Sequence, residues 1–225
     1  MLKEESKTVV GIDEAGRGPI IGPMVMCGVL IREEDEKELV RLKVKDSKLL
    51  PKDMREFLFD KIKAVSKKYK LEIIGPYEID NAVNGSNGLN LNRLEAQKSA
   101  QILNELDPDK AVIDAPSSNI ESYKLYLMGF VKNKEVKLIL EHKADVNFPV
   151  VSAASILAKV TRDKEIENIK KQIGIDFGSG YPSDPKTAEF LKKNFEKFPD
   201  IFRKSWLPYQ ELASKKLQKN ISDFT

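Results

Sequence analysis

The stretch TVVGIDEAGRGP, residues 8–19, decides how the rest of the chain is read. Thr8 to Ile12 is a short β-branched run with strand character, and Asp13 and Glu14 stand at its end. Gly16, Arg17, Gly18 and Pro19 then form a tight turn, after which Met24 to Ile31 is again apolar and strand-like. The two runs are expected to pair antiparallel. Adjacent carboxylates at the mouth of a sheet, followed by a glycine turn bearing an arginine, point to a metal site beside a loop that approaches oxygen atoms closely.

Further along, Glu34 to Leu42 and Lys52 to Lys68 carry helical spacing, the second opening with Pro51 in its first turn. Leu71 to Gly75 returns to strand character, Asn90 to Leu106 is helical, Lys110 to Asp114 is a short apolar strand, Ile120 to Leu127 is helical and Val136 to Leu140 is another strand. Val150 to Lys171 is the clearest helix, with Ile156, Val160, Ile166 and Ile169 among its apolar positions and Ser152 as its expected cap. This alternation predicts an α/β fold with helices covering a mixed sheet. After Gly174 the texture changes to a Gly/Pro loop and short helices punctuated by Pro185, Pro199 and Pro208. A main domain over 1–175 and a helical region over 176–225 are therefore expected.

With 225 residues, 41% of them hydrophobic, the chain can bury one sizeable core. A formal charge of +3 gives only weak support to a nucleic-acid partner, so any basic surface must be local. Cys27 is the single cysteine, which excludes an intramolecular disulfide framework and fits a reducing compartment. No run of about 18 apolar residues occurs, and Met1 to Lys7 is charged, so a soluble cytoplasmic protein with no membrane partner is expected.

Two further acids occupy element boundaries: Asp114 ends the run from Ala111, and Asp145 precedes the longest helix. Each acid alone reads as an ordinary turn or cap residue. Together, four carboxylates suit two divalent cations better than one, because magnesium takes only one or two carboxylates alongside water and phosphate oxygens. Repulsion among the metal-free acids would raise their pKa values. A dinucleotide-binding fingerprint is excluded by the glycine spacing, by Pro19 and by the strand that follows. His142 is the only histidine, so zinc is disfavoured; a structural role and an assisting role near Asp145 stand level.

In order along the chain, DEAGRGP from Asp13, DSK from Asp46, VIDAP from Val112, HKAD from His142, VSAASILAKVTRD from Val151 and GSGYPSD from Gly178 resemble ribonuclease HII, the type 2 ribonuclease H, in its archaeal branch. The resemblance implies a ribonuclease H-like fold: a mixed five-stranded sheet flanked by helices, with a C-terminal helical region. It implies endonucleolytic hydrolysis of RNA in RNA/DNA hybrids and at single ribonucleotides in duplex DNA, leaving 3'-hydroxyl and 5'-phosphate ends. It also implies that Asp13, Glu14, Asp114 and Asp145 hold two Mg2+ or Mn2+ ions. Gly16, Arg17 and Gly18 are similar to a backbone clamp on the ribose 2'-hydroxyl, Tyr181 to the tyrosine that packs on that sugar, and Lys48 to the family's phosphate-contacting lysine; Lys143 is expected to add a positive charge near the strand. The 2'-hydroxyl is the group by which a protein tells RNA from DNA. The family implies a monomer.

The last residues resemble the short peptide by which replication proteins dock on the sliding clamp, with Gln218, Ile221 and Phe224 as its anchors and Thr225 in place of a second aromatic. A fraying terminal helix with stray apolar residues explains them equally well.

Overall fold

The structure is a computed structural model and describes residues 7–44, 50–85 and 88–222. Lys48 and Phe224, both expected site residues, lie outside the described residues.

Five strands form one mixed sheet in the order β3-β2-β1-β4-β5: β1 is Thr8–Ala15, β2 Met24–Arg32, β3 Lys68–Ile74, β4 Lys110–Asp114 and β5 Lys137–Glu141. The expected hairpin holds, with Asp13 opposite Cys27 and Glu14 opposite Met26 in the antiparallel β1–β2 ladder. On its other side β1 pairs in parallel with β4, and β4 pairs in parallel with β5. Because β1 and β4 run the same way, their carboxyl ends, carrying Asp13 and Asp114, fall at one end of the sheet. The helices are α1 (Glu36–Arg41), α2 (Lys52–Val65), α3 (Pro76–Asn84), α4 (Leu91–Leu106), α5 (Ile120–Phe130), α6 (Ala144–Asn147), α7 (Pro149–Ile173), α8 (Pro185–Asn194) and α9 (Leu207–Ser222).

The chain divides into two compact units. The first gathers the described residues of Met1–Ala15, Val25–Ile73 and Asn92–Arg162; the second gathers Gly16–Met24, Ile74–Leu91 and Asp163–Thr225. The expected boundary at residue 175 falls inside the second unit.

In the first unit, the start of α7 lies directly against β1. A Cβ at Gly11 would stand 2.4 Å from the backbone carbon and oxygen of Val150, so only glycine admits this approach. Residues 151–158 of α7 are all buried, joined in one core by Val25, Val29 and Ile31 of β2 and by Leu58 and Ile62 of α2. Two local expectations are corrected. The helix begins at Pro149, whose fixed φ suits a first turn, so Ser152 lies inside it and its hydroxyl donates to the Val44 carbonyl instead of capping. Pro51 precedes α2 as its N-cap residue.

In the second unit, Ile20, Ile21, Ile166, Phe177, Phe190, Leu191 and Phe202 form a separate core, with the Phe190 ring centroid 5.5 Å from that of Phe177 and 5.9 Å from that of Phe202. Asp184 caps α8 by accepting the Lys186 N–H at 2.9 Å, and Pro185 fills the first turn.

Candidate active site

The crossing at Gly11 sets the position of the acids in the first unit. From Gly11 to Asp13 a strand advances about 6.7 Å, and from Val151 to Ser155 a helix advances about 6 Å. The two therefore stay in step, and Ser155 meets Asp13 and hydrogen-bonds to its carboxyl. Asp13 is only 4% exposed and accepts the Glu14 N–H at 2.7 Å.

Asp114, at the end of β4, accepts the Ala144 N–H at 3.0 Å. That amide begins α6, and Asp145 is the next residue, buried to 5% exposure. A single hydrogen bond thus ties the β4 carboxylate to the segment that carries the third acid. Lys143 just before it adopts the left-handed conformation, φ 59°, which turns the chain out of β5 and into α6. Its own side chain is exposed. His142 Nδ1 lies 2.9 Å from the Ala115 carbonyl, so it acts as the donor and links the segments that follow β4 and β5. This contact favours the structural role for His142.

The electrostatics follow from this placement. Asp13 is pushed up from its ordinary 3.8 to about 7, first by burial and then by the charges of Asp114 and Asp145, against the lowering effect of the Ser155 and Glu14 hydrogen bonds. Opposite it, burial and the Asp13 charge push the Cys27 thiol well above its usual range, so it stays protonated and offers no thiolate ligand. Glu14 is half-buried; as the next residue on a pleated strand, its side chain leaves the backbone on the face opposite Asp13. Among the described residues no three carboxylate, thiol or imidazole groups enclose a single ion. A donor set made of carboxylates alone, with coordination positions left for water and phosphate oxygens, would fit Mg2+ or Mn2+ and not a soft metal.

The turn lies in the second unit. Gly16 has φ 82°, which only glycine adopts cheaply. Gly18 is exposed, and a Cβ there would stand 3.7 Å from the Tyr181 ring, which is itself 40% exposed. The Tyr181 loop is folded about Asp184, which accepts the Ser179 N–H at 2.7 Å; Gly178, at φ 82°, leaves room for that carboxylate. The Gly180 carbonyl accepts the N–H groups of Ile20 and Ile21 at 2.9 and 3.3 Å, so the turn and the tyrosine loop are joined by backbone. Gln218 is an exposed residue of α9; Ile221 lies in the same helix, with its side chain outside the described residues.

Sequence reading missed Ser155, Asp80, Arg203 and Trp206. Ser155 lay in plain view at a helical position. Arg203 and Trp206 reach the turn, and Asp80 the segment that carries them, only through tertiary structure: Arg203, fully buried, donates to the carbonyls of Gly16, Arg17 and Gly22.

Residues 10–208 match the family model for Ribonuclease HII. The ribonuclease HII of Pyrococcus furiosus is 45% identical over 222 residues, covering 95% of this chain and 96% of that protein, and the one of Methanococcus maripaludis is 46% identical over 224 residues, covering 96% and 90%. Among solved structures, the ribonuclease H2 of Pyrococcus horikoshii matches with a TM-score of 0.83 at 39% identity, covering 92% of this chain and 98% of that one. The ribonuclease HII of Archaeoglobus fulgidus, solved in complex with PCNA, matches with a TM-score of 0.79 at 37% identity, covering 88% and 95%. The fold is thus ribonuclease H-like, as the resemblance implied. Matched along nearly its whole length, the chain belongs to the ribonuclease HII family of endoribonucleases, which hydrolyse the RNA of RNA/DNA hybrids and excise embedded ribonucleotides.

Proposed function

We propose that Asp13, Glu14, Asp114 and Asp145 hold two divalent cations, Mg2+ or Mn2+, and that the Gly16-Arg17-Gly18 turn and Tyr181 select the ribose beside the phosphodiester that is cut. The observation that carries this reading is the buried Asp13 carboxyl, pushed up to about 7 in part by the charges of Asp114 and Asp145. Acids that repel one another where a β-strand, a strand end and a helix start meet are destabilising without a cation, and a site for cations accounts for their being gathered there. When bound, the ions would lower the pKa of the attacking water and stabilise the leaving oxygen, which becomes the 3'-hydroxyl. Ser155 and the Ala144 N–H hold the carboxylates of Asp13 and Asp114 in fixed orientations. The turn offers backbone amides to the 2'-hydroxyl, and Tyr181 offers a ring to the sugar. Lys143 and Lys48 supply positive charge toward phosphates.

The test is a magnesium and manganese titration of cleavage on a duplex carrying one ribonucleotide, against the same duplex in all-DNA form. Cation-dependent cutting only beside the ribonucleotide, with 3'-hydroxyl and 5'-phosphate ends, is expected. Cutting of the all-DNA duplex would instead indicate a nuclease that does not read the 2'-hydroxyl.

The A. fulgidus neighbour supports a second reading, that the tail bearing Gln218, Ile221 and Phe224 docks on a sliding clamp. Deleting residues 218–225 is expected to abolish clamp-dependent retention on DNA without altering cleavage of short duplexes. Gel filtration of the free protein tests the proposed monomer. Among the described residues no helix is long and apolar enough to cross a membrane, and a cytoplasmic location is proposed with that in view.

A further inference from the structure

We infer that Arg203, seconded by Trp206 and Asp80, is a positioning device that fixes the Gly16-Arg17-Gly18 turn in the orientation that reads the ribose. This rests on the proposed role of that turn. Arg203 is wholly buried, yet its partners in the second unit are carbonyls: Nε donates to Gly22 O at 3.1 Å, Nη1 to Arg17 O at 2.8 Å and Nη2 to Gly16 O at 2.6 Å. Both ends of the Gly16–Gly22 loop are thereby gripped by one rigid planar fork. The Trp206 Nε1–H donates to Gly18 O at 3.1 Å, and the Arg203 guanidinium lies 5.0 Å from the Trp206 ring centroid.

Peptide geometry turns this grip into a statement about donors. Among the described residues all peptide bonds are trans, and a trans peptide carries its C=O and N–H on opposite sides. Drawing the Gly16 and Arg17 carbonyls toward Arg203 aims the N–H groups of Arg17 and Gly18 away from it. Pro19 has no N–H, so the Gly18 carbonyl can be spent on Trp206 without orienting a third donor. Two adjacent amides, preset in direction, are what a hydroxyl oxygen needs.

The device is itself anchored. Asp80 of α3 accepts the N–H groups of Lys204 and Ser205, each at 2.8 Å, and the Ser205 hydroxyl at 2.6 Å. The Arg203 N–H donates to Ile20 O at 2.9 Å, and Gly22 N–H to Ile201 O at 2.9 Å, so two further backbone bonds join the 201–206 segment to the turn.

The experiment compares kcat/KM on a duplex with one ribonucleotide with the inhibition constant of the all-DNA duplex as competitor. Arg203→Lys keeps the charge but loses the fork, and is expected to lower kcat/KM by about 100-fold, chiefly in kcat, with the all-DNA inhibition constant within about twofold of wild type. Trp206→Phe keeps an aromatic surface and loses one donor; a roughly tenfold drop is expected, and this variant carries the test if Arg203→Lys fails to fold. Gly18→Ala separates the two ideas, because its added methyl is tolerated beside Tyr181 but obstructs a sugar. If Gly18→Ala loses ribonucleotide cleavage and the Arg203 and Trp206 variants do not, the positioning role is overturned and the turn's role stands. If Gly18→Ala cleaves normally, the turn's role falls first. A parallel weakening of all-DNA competition in the Arg203 and Trp206 variants would mark a structural role alone and overturn the inference.

Discussion

The acid end of the sheet and the Gly16–Gly22 turn are consecutive in the chain but built on opposite principles. At Asp13 a buried carboxyl is crowded by like charges, so its ionised form is disfavoured. In the turn, carbonyl after carbonyl meets a donor: Gly16, Arg17 and Gly22 meet Arg203, Gly18 meets Trp206, and Ile20 meets the Arg203 amide. One region stores unfavourable electrostatics, which a cation bound as proposed would relieve, and the other has its carbonyls satisfied in advance. Substitutions should therefore act oppositely: in the acid site activity falls while stability holds or rises, and in the turn's supports both fall together.

The largest effect is expected from Asp114→Asn. It keeps the shape and can still accept the Ala144 N–H, but removes one negative charge next to Asp13. Single-turnover cleavage should drop by about a thousandfold or more, as for loss of a group that stabilises developing charge. Hybrid binding measured by fluorescence anisotropy should persist, since removing a negative charge does not weaken phosphate contacts. Cleavage at the wild-type rate would break the comparison at its stronger end.

Asp13 sharpens it through pH. Its folded pKa, about 7, exceeds its ordinary 3.8, so between these values the folded protein holds a proton that the unfolded chain has released. Stability of the metal-free protein should fall as pH rises through that window and level off above it, by on the order of a few kcal/mol. Asp13→Asn should flatten the profile and raise Tm at pH 8, while abolishing cleavage. Magnesium should raise the wild-type Tm at pH 8 by binding the folded state, and should do so less in the variant. Calorimetry across pH 4 to 8 with and without magnesium reads all of this, and a flat wild-type profile would contradict it.

How legible these regions were depended on whether the cause was local. Thr8–Ala15, Met24–Arg32 and Lys110–Asp114 were readable because β-branched runs ended in punctuation. The sheet-end position of Asp13 and Asp114 followed from strand ends alone. α3 had no reading in the sequence, although Pro76 fills a first helical turn. Arg203 was missed because a charged residue among prolines reads as solvated, and its burial is decided by carbonyls about 181 to 187 residues away in sequence. The one advance hint lay in the turn itself: a Gly/Pro loop with no ladder of its own must find donors elsewhere.

A smaller effect belongs to Thr187 in the second unit. Its buried hydroxyl donates to Phe177 O at 2.8 Å and accepts the Gly180 N–H at 3.0 Å. Thr187→Val keeps the volume and strands both groups, so denaturant unfolding should show a loss of about 1–3 kcal/mol. Since Gly180 precedes Tyr181 and its carbonyl holds Ile20 and Ile21, cleavage should also fall, by less than for Arg203→Lys. Unchanged cleavage with lowered stability would separate the loop's folding from its function.

The smallest effect is expected where charges are plentiful but exposed. Asp176 is paired with Lys186 and, at 3.1 Å, with Lys170, and these contacts with the Gly178 N–H hold its carboxyl well below the usual range. A depressed carboxylate contributes above its ordinary pKa and loses that contribution as pH falls. Water screens the pair, however, and half of each of the Lys186 and Asp176 side chains is exposed. Lys186→Ala should move Tm by no more than about a degree or two at pH 7, a shift that about 0.5 M salt should erase. A large, salt-resistant loss would mean that this surface cluster, and not the buried hydrogen bonds of Thr187 and Arg203, holds the second unit's loops in place.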